Sequence, residues 1–282
     1  MTRGVLRLRQ FNDGDLDAAQ CLSRAVGWPH RRDDWAFAAR LGHGWVAERA
    51  GRVVGTTLYW QHGDAGASIG LVIVSAAERG QGLGARLLGA ALDALAGRTV
   101  FLNATPAGQP LYQSVGFRAC GAIVQCQSDR IRATQPGIED GALLRVATPS
   151  DRVTLAALAT AACGMDRQAV VDAVLDAGHA VVIARAGAVQ GYAAIRAFGL
   201  GSVIGPVIAR DTVDARALIG YWLARADGGF VRIDVPAESG LAPWLAGCGL
   251  TAVDRSVTMV RGPSPPITAV YRTYAAVTQA LL

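Results

Sequence analysis

Val72-Ile73-Val74-Ser75-Ala76-Ala77-Glu78-Arg79-Gly80-Gln81-Gly82-Leu83-Gly84-Ala85-Arg86-Leu87-Leu88 is the stretch that decides how this chain reads. A β-branched apolar run ends in a short loop with three glycines, and the loop opens into a helical pattern. Leu83, Leu87, Leu88, Ala91, Leu92 and Leu95 form one apolar face, and the helix is expected to stop near Gly97. Glycines let a backbone approach a ligand closely, and the free N–H groups of a helix start point at an anion. Arg79 adds a fixed positive charge at the same place. The stretch therefore reads as a mould for the phosphate group of a cofactor.

Working outward, an opening strand (5–11) is followed by helical segments, the second over Asp33 to Leu41. A hairpin pairs Trp45–Arg49 with Val53–Trp60 about Ala50-Gly51, and the strand Ala67–Val74 leads into the glycine loop. Beyond it come a buried strand (Thr99–Asn103), a helix after Pro110 and a closing strand that ends before Arg130. The whole pattern then recurs. Leu8-Arg9 returns as Leu144-Arg145, and Asp15 as Asp151. His43-Gly44-Trp45-Val46-Ala47-Glu48-Arg49-Ala50-Gly51 returns as His179-Ala180-Val181-Val182-Ile183-Ala184-Arg185-Ala186-Gly187, all at one fixed offset. Pro110 and Gly116 align with Pro243 and Gly249 after a small drift. Two copies of one fold are implied. The first domain is placed at 3–131, a linker at 132–140, the second domain at 141–262 and a tail at 263–282, whose last part, from Tyr271, docks back on the body as a helix or strand.

Half of the residues are apolar, so a full core can form and disorder is not expected. The net charge of +5 comes almost wholly from Arg scattered along the chain, with no basic run interleaved with aromatics. A nucleic-acid partner is therefore not expected. The five cysteines form no C-x-x-C pair and read as buried free thiols; no metal site is expected. No signal-peptide core and no stretch of roughly 20 apolar residues are seen, which points to the cytoplasm.

Arg79-Gly80-Gln81-Gly82-Leu83-Gly84 resembles the Q/R-x-x-G-x-G/A pyrophosphate loop of the GNAT acyltransferase superfamily. Leu111-Tyr112-Gln113-Ser114-Val115-Gly116-Phe117 is similar to its Y-x-x-x-G-F signature. A dinucleotide fold is the rival for the glycines, but it asks for G-x-G-x-x-G early in the chain and an acidic residue about 20 positions on, and neither fits. The resemblance implies an α/β fold of two tandem GNAT-like domains, each a splayed mixed sheet flanked by helices. It implies acetyl-CoA in the splay: backbone of Val72, Ile73 and Val74 along the pantetheine arm, and N–H groups of Arg79, Gly80, Gln81, Gly82, Leu83, Gly84 and Ala85 on the pyrophosphate. It further implies Tyr112 as proton donor to the departing thiolate, with Asn103 orienting the cofactor or the amine.

The family's general base is variable. Glu48, His62 and Asp64 are candidates, although His62 also reads as a solvated loop residue. Trp60 is a core or pocket-wall residue. In the second copy Asp211-Thr212-Val213-Asp214 stands at the glycine loop and Leu245 at the tyrosine, so that half is expected not to bind coenzyme A: two aspartates would repel a pyrophosphate. Asp234 and Glu238 are candidates to face an amine, with a solvated carboxylate as the safer reading. The expected function is acetyl-CoA-dependent N-acetylation of a small amine, without a membrane partner and with homodimer formation open. The alternative is an acyl-CoA-binding sensor or scaffold without turnover.

Overall fold

The computed structural model describes residues 5–132, 137–138, 141–226, 228–267 and 270–282. The predicted linker lies largely outside these residues. The first half runs β1 (Leu6–Gln10), α1 (Leu16–Ala25), α2 (Arg32–Arg40), β2 (His43–Arg49), β3 (Arg52–His62), β4 (Gly66–Val74), α3 (Leu83–Ala94), β5 (Thr99–Ala104), α4 (Gln109–Ser114) and β6 (Arg118–Ser128). The second repeats it as β7 (Ala142–Val146), α5 (Arg152–Cys163), α6 (Gln168–Ala177), β8 (Gly178–Arg185), β9 (Ala188–Phe198), β10 (Gly201–Ala209), α7 (Thr212–Leu223), β11 (Val231–Pro236), α8 (Leu241–Gly247) and β12 (Thr251–Arg261). The tail adds β13 (Arg272–Ala275). These bounds match the sequence reading to within a few residues.

The repeat extends to individual bonds. Arg9 grips Asp15 at 2.7 Å, and Arg145 grips Asp151 at 2.7 Å. Each aspartate also closes a capping box at the start of its half, with Asn12 in one and Thr148 in the other.

The described strands join one sheet in the order β1-β2-β3-β4-β5-β12-β6-β11-β10-β9-β8-β7, with β13 off this path on β10. The halves exchange their closing strands. β12 lies between β5 and β6, and β6 pairs with β11 from Val231↔Ser128 to Pro236↔Ile123. Neither half completes its own sheet, so the two form one continuous body. On one face α1, α2, α5 and α6 share a core that includes Trp35, Trp60, Leu155, Val174 and Tyr192. On the other, α3 and α4 pack on the first half and α7 and α8 on the second. Alternation along β3 shows the two faces: Leu58 and Trp60 join the shared core, while Tyr59 packs towards α3.

β4 breaks that alternation. Ile69 faces the α3 side, yet Leu71 and Ile73 face the shared core. The pairing register with β3 shifts here, Leu71 takes φ +53°, and its carbonyl accepts a hydrogen bond from Thr56 Oγ1 at 2.9 Å. This is a β-bulge, and it re-aims the strand end that feeds the glycine loop. β10 carries a register shift at the matching place, between Ile204 and Val207.

Candidate functional site

β4 and β5 pair in parallel only at Gly66↔Thr99, Ala67↔Val100 and Ser68↔Phe101. Beyond Ser68 they diverge, and among the described residues no strand pairs with the bulged part of β4 on that side. Val72, Ile73 and Val74 line the resulting cleft, which encloses about 560 Å³. Its floor is the start of α3. Gly80 and Gly82 sit at φ +74° and +72°, and a Cβ on either would meet nothing within 4 Å. Gly82 is the N-cap of α3, with no side-chain cap and no acidic residue in the first turn. The helix-start N–H groups and the positive end of its dipole therefore have no partner supplied by side chains, and open space lies in front of them. That arrangement suits an anion with several oxygens. Gly84 serves packing instead: a Cβ there would stand 3.3 Å from Leu111.

The sequence-predicted residues come together here. Val72, Ile73, Val74, Arg79, Gly80, Gly82, Leu83, Gly84, Ala85, Asn103 and Tyr112 all line this cleft. Gln81 does not; its amide turns back to the Ala77 carbonyl at 3.5 Å. Arg79 Nε donates to the Val74 carbonyl at 3.2 Å, which folds its charge over the loop. Glu78, also on the cleft wall, is paired with Arg49 at 3.1 Å. Tyr112 is buried edge-on to Phe117, with ring centroids 6.0 Å apart. Burial pushes its phenol up to about 12, so it stays protonated at any ordinary pH. Asn103 is committed on both sides of its amide. Nδ2 donates to the Gln279 carbonyl at 2.8 Å, and Oδ1 accepts from Thr258 Oγ1 at 2.7 Å.

The three candidate bases do not join the cleft walls. Glu48 is held by Arg9 at 2.9 Å, and Asp64 is in the exposed turn after β3. His62 is not a solvated loop residue. It is 3% exposed, bonded to Ser68 Oγ at 3.0 Å, and burial beside Arg167 pushes its imidazole down to about 3. Trp60 is core, its indole N–H on the Ala38 carbonyl. Two thiols expected to be buried, Cys21 and Cys120, are exposed. No group of His, Cys, Asp and Glu among the described residues is placed to hold a metal ion.

The cleft continues past Trp28, Gly70, Leu71 and Asn103 into a second cavity of about 370 Å³ between the halves. Phe198, Arg232 and Asp254 of the second half form its far wall, and tail residues 278–280 form one side. No motif marked His30, and Arg232 had no role of its own in the sequence reading. Asp234, expected to be solvated, is 0% exposed and bound by Arg232 at 2.8 Å.

Among the described residues the second half has no glycine-loop cleft, and its geometry gives reasons besides the expected charge repulsion. Only Arg210 and Asp211 join β10 to α7, so the whole glycine loop is missing. Asp211 caps the helix, accepting from Asp214 N at 2.9 Å, and Asp214 is buried against Arg185 at 2.6 Å. The wedge between β10 and β11 is filled by β13, which pairs Val207↔Ala275, Ile208↔Thr273 and Ala209↔Arg272. Ala276 N then bonds the Asp234 carbonyl of β11 at 2.9 Å. The tail runs on from the bulge of one half to that of the other. A Cβ on Gly205 would stand 1.9 Å from the Ala276 carbonyl oxygen, and one on Gly70 would stand 2.6 Å from Ala280 Cβ. Leu245, which accepts at its carbonyl from Leu250 N as Tyr112 does from Phe117 N, occupies the tyrosine position.

Two models of the acetyltransferase (GNAT) domain match the chain, at residues 40–119 and 155–274. The uncharacterized N-acetyltransferase YitH of Bacillus subtilis (strain 168) is 32% identical over 174 residues, which span 61% of this chain and 61% of that protein. A putative acetyltransferase from Pyrococcus horikoshii shares the fold with a TM-score of 0.78 at 19% identity, over 98% of this chain and 95% of that one. A tandem GNAT protein from the clavulanic acid biosynthesis pathway does so with a TM-score of 0.64 at 16% identity, over 92% and 100%. The two matched segments fall one in each half and together take in more than half of the residues: this chain belongs to the GNAT acetyltransferase family and carries two GNAT domains in tandem.

Proposed function

We propose that the protein is an acetyl-CoA-dependent N-acetyltransferase acting on a small amine. Residues 3–131 form the cofactor-binding domain, 132–140 the linker, 141–262 a domain that does not bind cofactor, and 263–282 the tail. The observation that carries this reading is the uncapped start of α3, faced by Gly80 and Gly82 with open space at both. Residues 79–85 would hold the diphosphate there by backbone N–H groups, and Arg79 would swing from the Val74 carbonyl to add its charge. The free edge of Val72–Val74 would take the pantetheine arm as an added strand, as β10 takes β13. Bound acetyl-CoA supplies the activated acetyl group.

The protein's own residues then act on protons and positions. Tyr112 keeps its proton until the thiolate departs and gives it up at that step. Asn103 fixes the tail across the junction of cleft and cavity, so its role is positioning. Glu48 and Asp64 lie outside the cleft walls and Glu78 is paired with Arg49, so the amine would arrive neutral or lose its proton to water. Free-thiol release over an amine panel tests the reading, with Tyr112→Phe in parallel. Acceptor-dependent release is expected from the native enzyme. Cofactor binding without release, unchanged in Tyr112→Phe, would favour a sensor instead.

A further inference from the structure

The cavity between the halves is where an acceptor would sit, and its far wall carries a cation whose charge is only partly used. Arg232 is 7% exposed and lines this cavity. Asp234 occupies one edge of the guanidinium: Nε reaches both carboxylate oxygens at 3.1 Å, and Nη2 reaches Oδ2 at 2.8 Å. Nη1 makes no hydrogen bond among the described residues, and it is not among the buried atoms without a partner, so it keeps access to the cavity. Asp234 thus fixes the plane of the guanidinium and leaves its Nη1–Nη2 end without a carboxylate partner on a side chain that lines the cavity. That end matches the two oxygens of a carboxylate.

The surroundings add positive charge. Arg196 lies over the rings of Phe37 and Phe198, at 4.3 and 5.2 Å, with Asp34 3.9 Å away. Asp34 is already held by Arg31 at 2.8 Å and by Gly199 N. The buried guanidinium groups of Arg196 and Arg232 therefore stand with the buried carboxylates of Asp34 and Asp234, and Asp34 is shared with the half-exposed Arg31. His30, on the cavity wall, has an unpartnered Nδ1 and is kept neutral by burial and by Arg232. Asp254 is the opposing charge on the rim, but it is exposed, so water and salt screen it far more than they screen Arg232.

We infer that the acceptor is an amine that also carries a carboxylate, seated with the carboxylate on Arg232 and the amine towards Gly70 and Leu71. The inference rests on the acetyltransferase reading of the adjoining cleft. Trp28 and Phe198 would flank the apolar part between the two charged ends.

The test uses matched pairs, amino carboxylates of increasing length against the same amines with hydrogen in place of the carboxylate, and an aminoalkyl phosphonate arm. Binding is measured by calorimetry on the full chain, with and without coenzyme A, and turnover by thiol release. Arg232→Gln alone would strand a buried carboxylate, so the variant is Arg232→Gln with Asp234→Asn. An advantage of at least ~10-fold for the amino carboxylate is expected, lost in the double variant while coenzyme A affinity holds. Three outcomes overturn the inference: no preference for the carboxylate member (failure of both members to bind included), a preference for the phosphonate, or a preference that survives the double variant. Coenzyme A affinity, measured alone, reports separately on the cofactor reading.

Discussion

The starts of α3 and α7 occupy equivalent places after equivalent bulged strands, and they spend their free N–H groups in opposite ways. At α7 the Asp211 carboxylate caps the helix and the loop shrinks to two residues. At α3 the N-cap is Gly82 in a left-handed conformation, without a side-chain partner, after a loop that holds a further left-handed glycine. A helix start that meets its own needs is closed by its own side chain; one that does not leaves its N–H groups to water or to a ligand. The strands in front differ in the same sense. β10 is paired by the protein's own β13, whereas among the described residues no strand pairs with the matching edge of β4 past Ser68. One fold therefore gives a filled wedge and an open wedge.

The largest expected effect breaks the open side. Gly82→Val forces a β-branched residue to φ +72° and puts methyl groups where an anion would lie. Acetyl-CoA affinity should fall by ~100-fold or more, read by calorimetry. Retained affinity would sever the link between the uncapped helix and cofactor binding. Next, Tyr112→Phe should lower kcat by about 100-fold at unchanged cofactor affinity. Because burial holds the phenol up at about 12, the native pH–rate profile should rise as the acceptor amine loses its proton and show no alkaline fall below pH of about 11. An alkaline limb near pH 9 would remove Tyr112 from the proton-donor role.

The filled side is tested by Gly205→Ala, whose methyl would collide with the Ala276 carbonyl. Forcing the tail off should cost about 2 kcal/mol in denaturant unfolding, and it should weaken acceptor turnover, because residues 278–280 form a wall of the cavity. Unchanged turnover would confine the tail to a structural role. The smallest effect is expected for Asp211→Ala: about 1 kcal/mol of stability from the lost cap, with coenzyme A affinity untouched. A gain of cofactor binding there would show that the second half is closed by its cap and not by its missing loop.

Much of the site could be read before any fold was known. The glycine loop, the apolar face of α3 and the Tyr112 signature are local patterns, because a few neighbouring residues determine backbone conformation and helix phase. The repeat was equally visible, since Arg9–Asp15 and Arg145–Asp151 preserve one local capping device. His62 was misjudged because a polar residue at a strand end looks like a loop residue until Arg167 packs on it from far along the chain. Asp234 was misjudged because nothing local tells that β11, set between its own β10 and the exchanged β6, is buried on both faces.

By itself, then, the sequence determined the kind of fold, its duplication and the half that keeps the glycine loop before an uncapped helix, all of which follow from short-range chemistry. Tertiary structure alone decided the exchange of β6 and β12, the filling of the second wedge by β13 and the cavity around Arg232. Each of these depends on contacts between residues far apart in sequence, such as Asn103 with Gln279 and Thr258. Such contacts are selected by shared burial and by hydrogen bonding of backbone that would otherwise be left unpaired, and no local pattern encodes them.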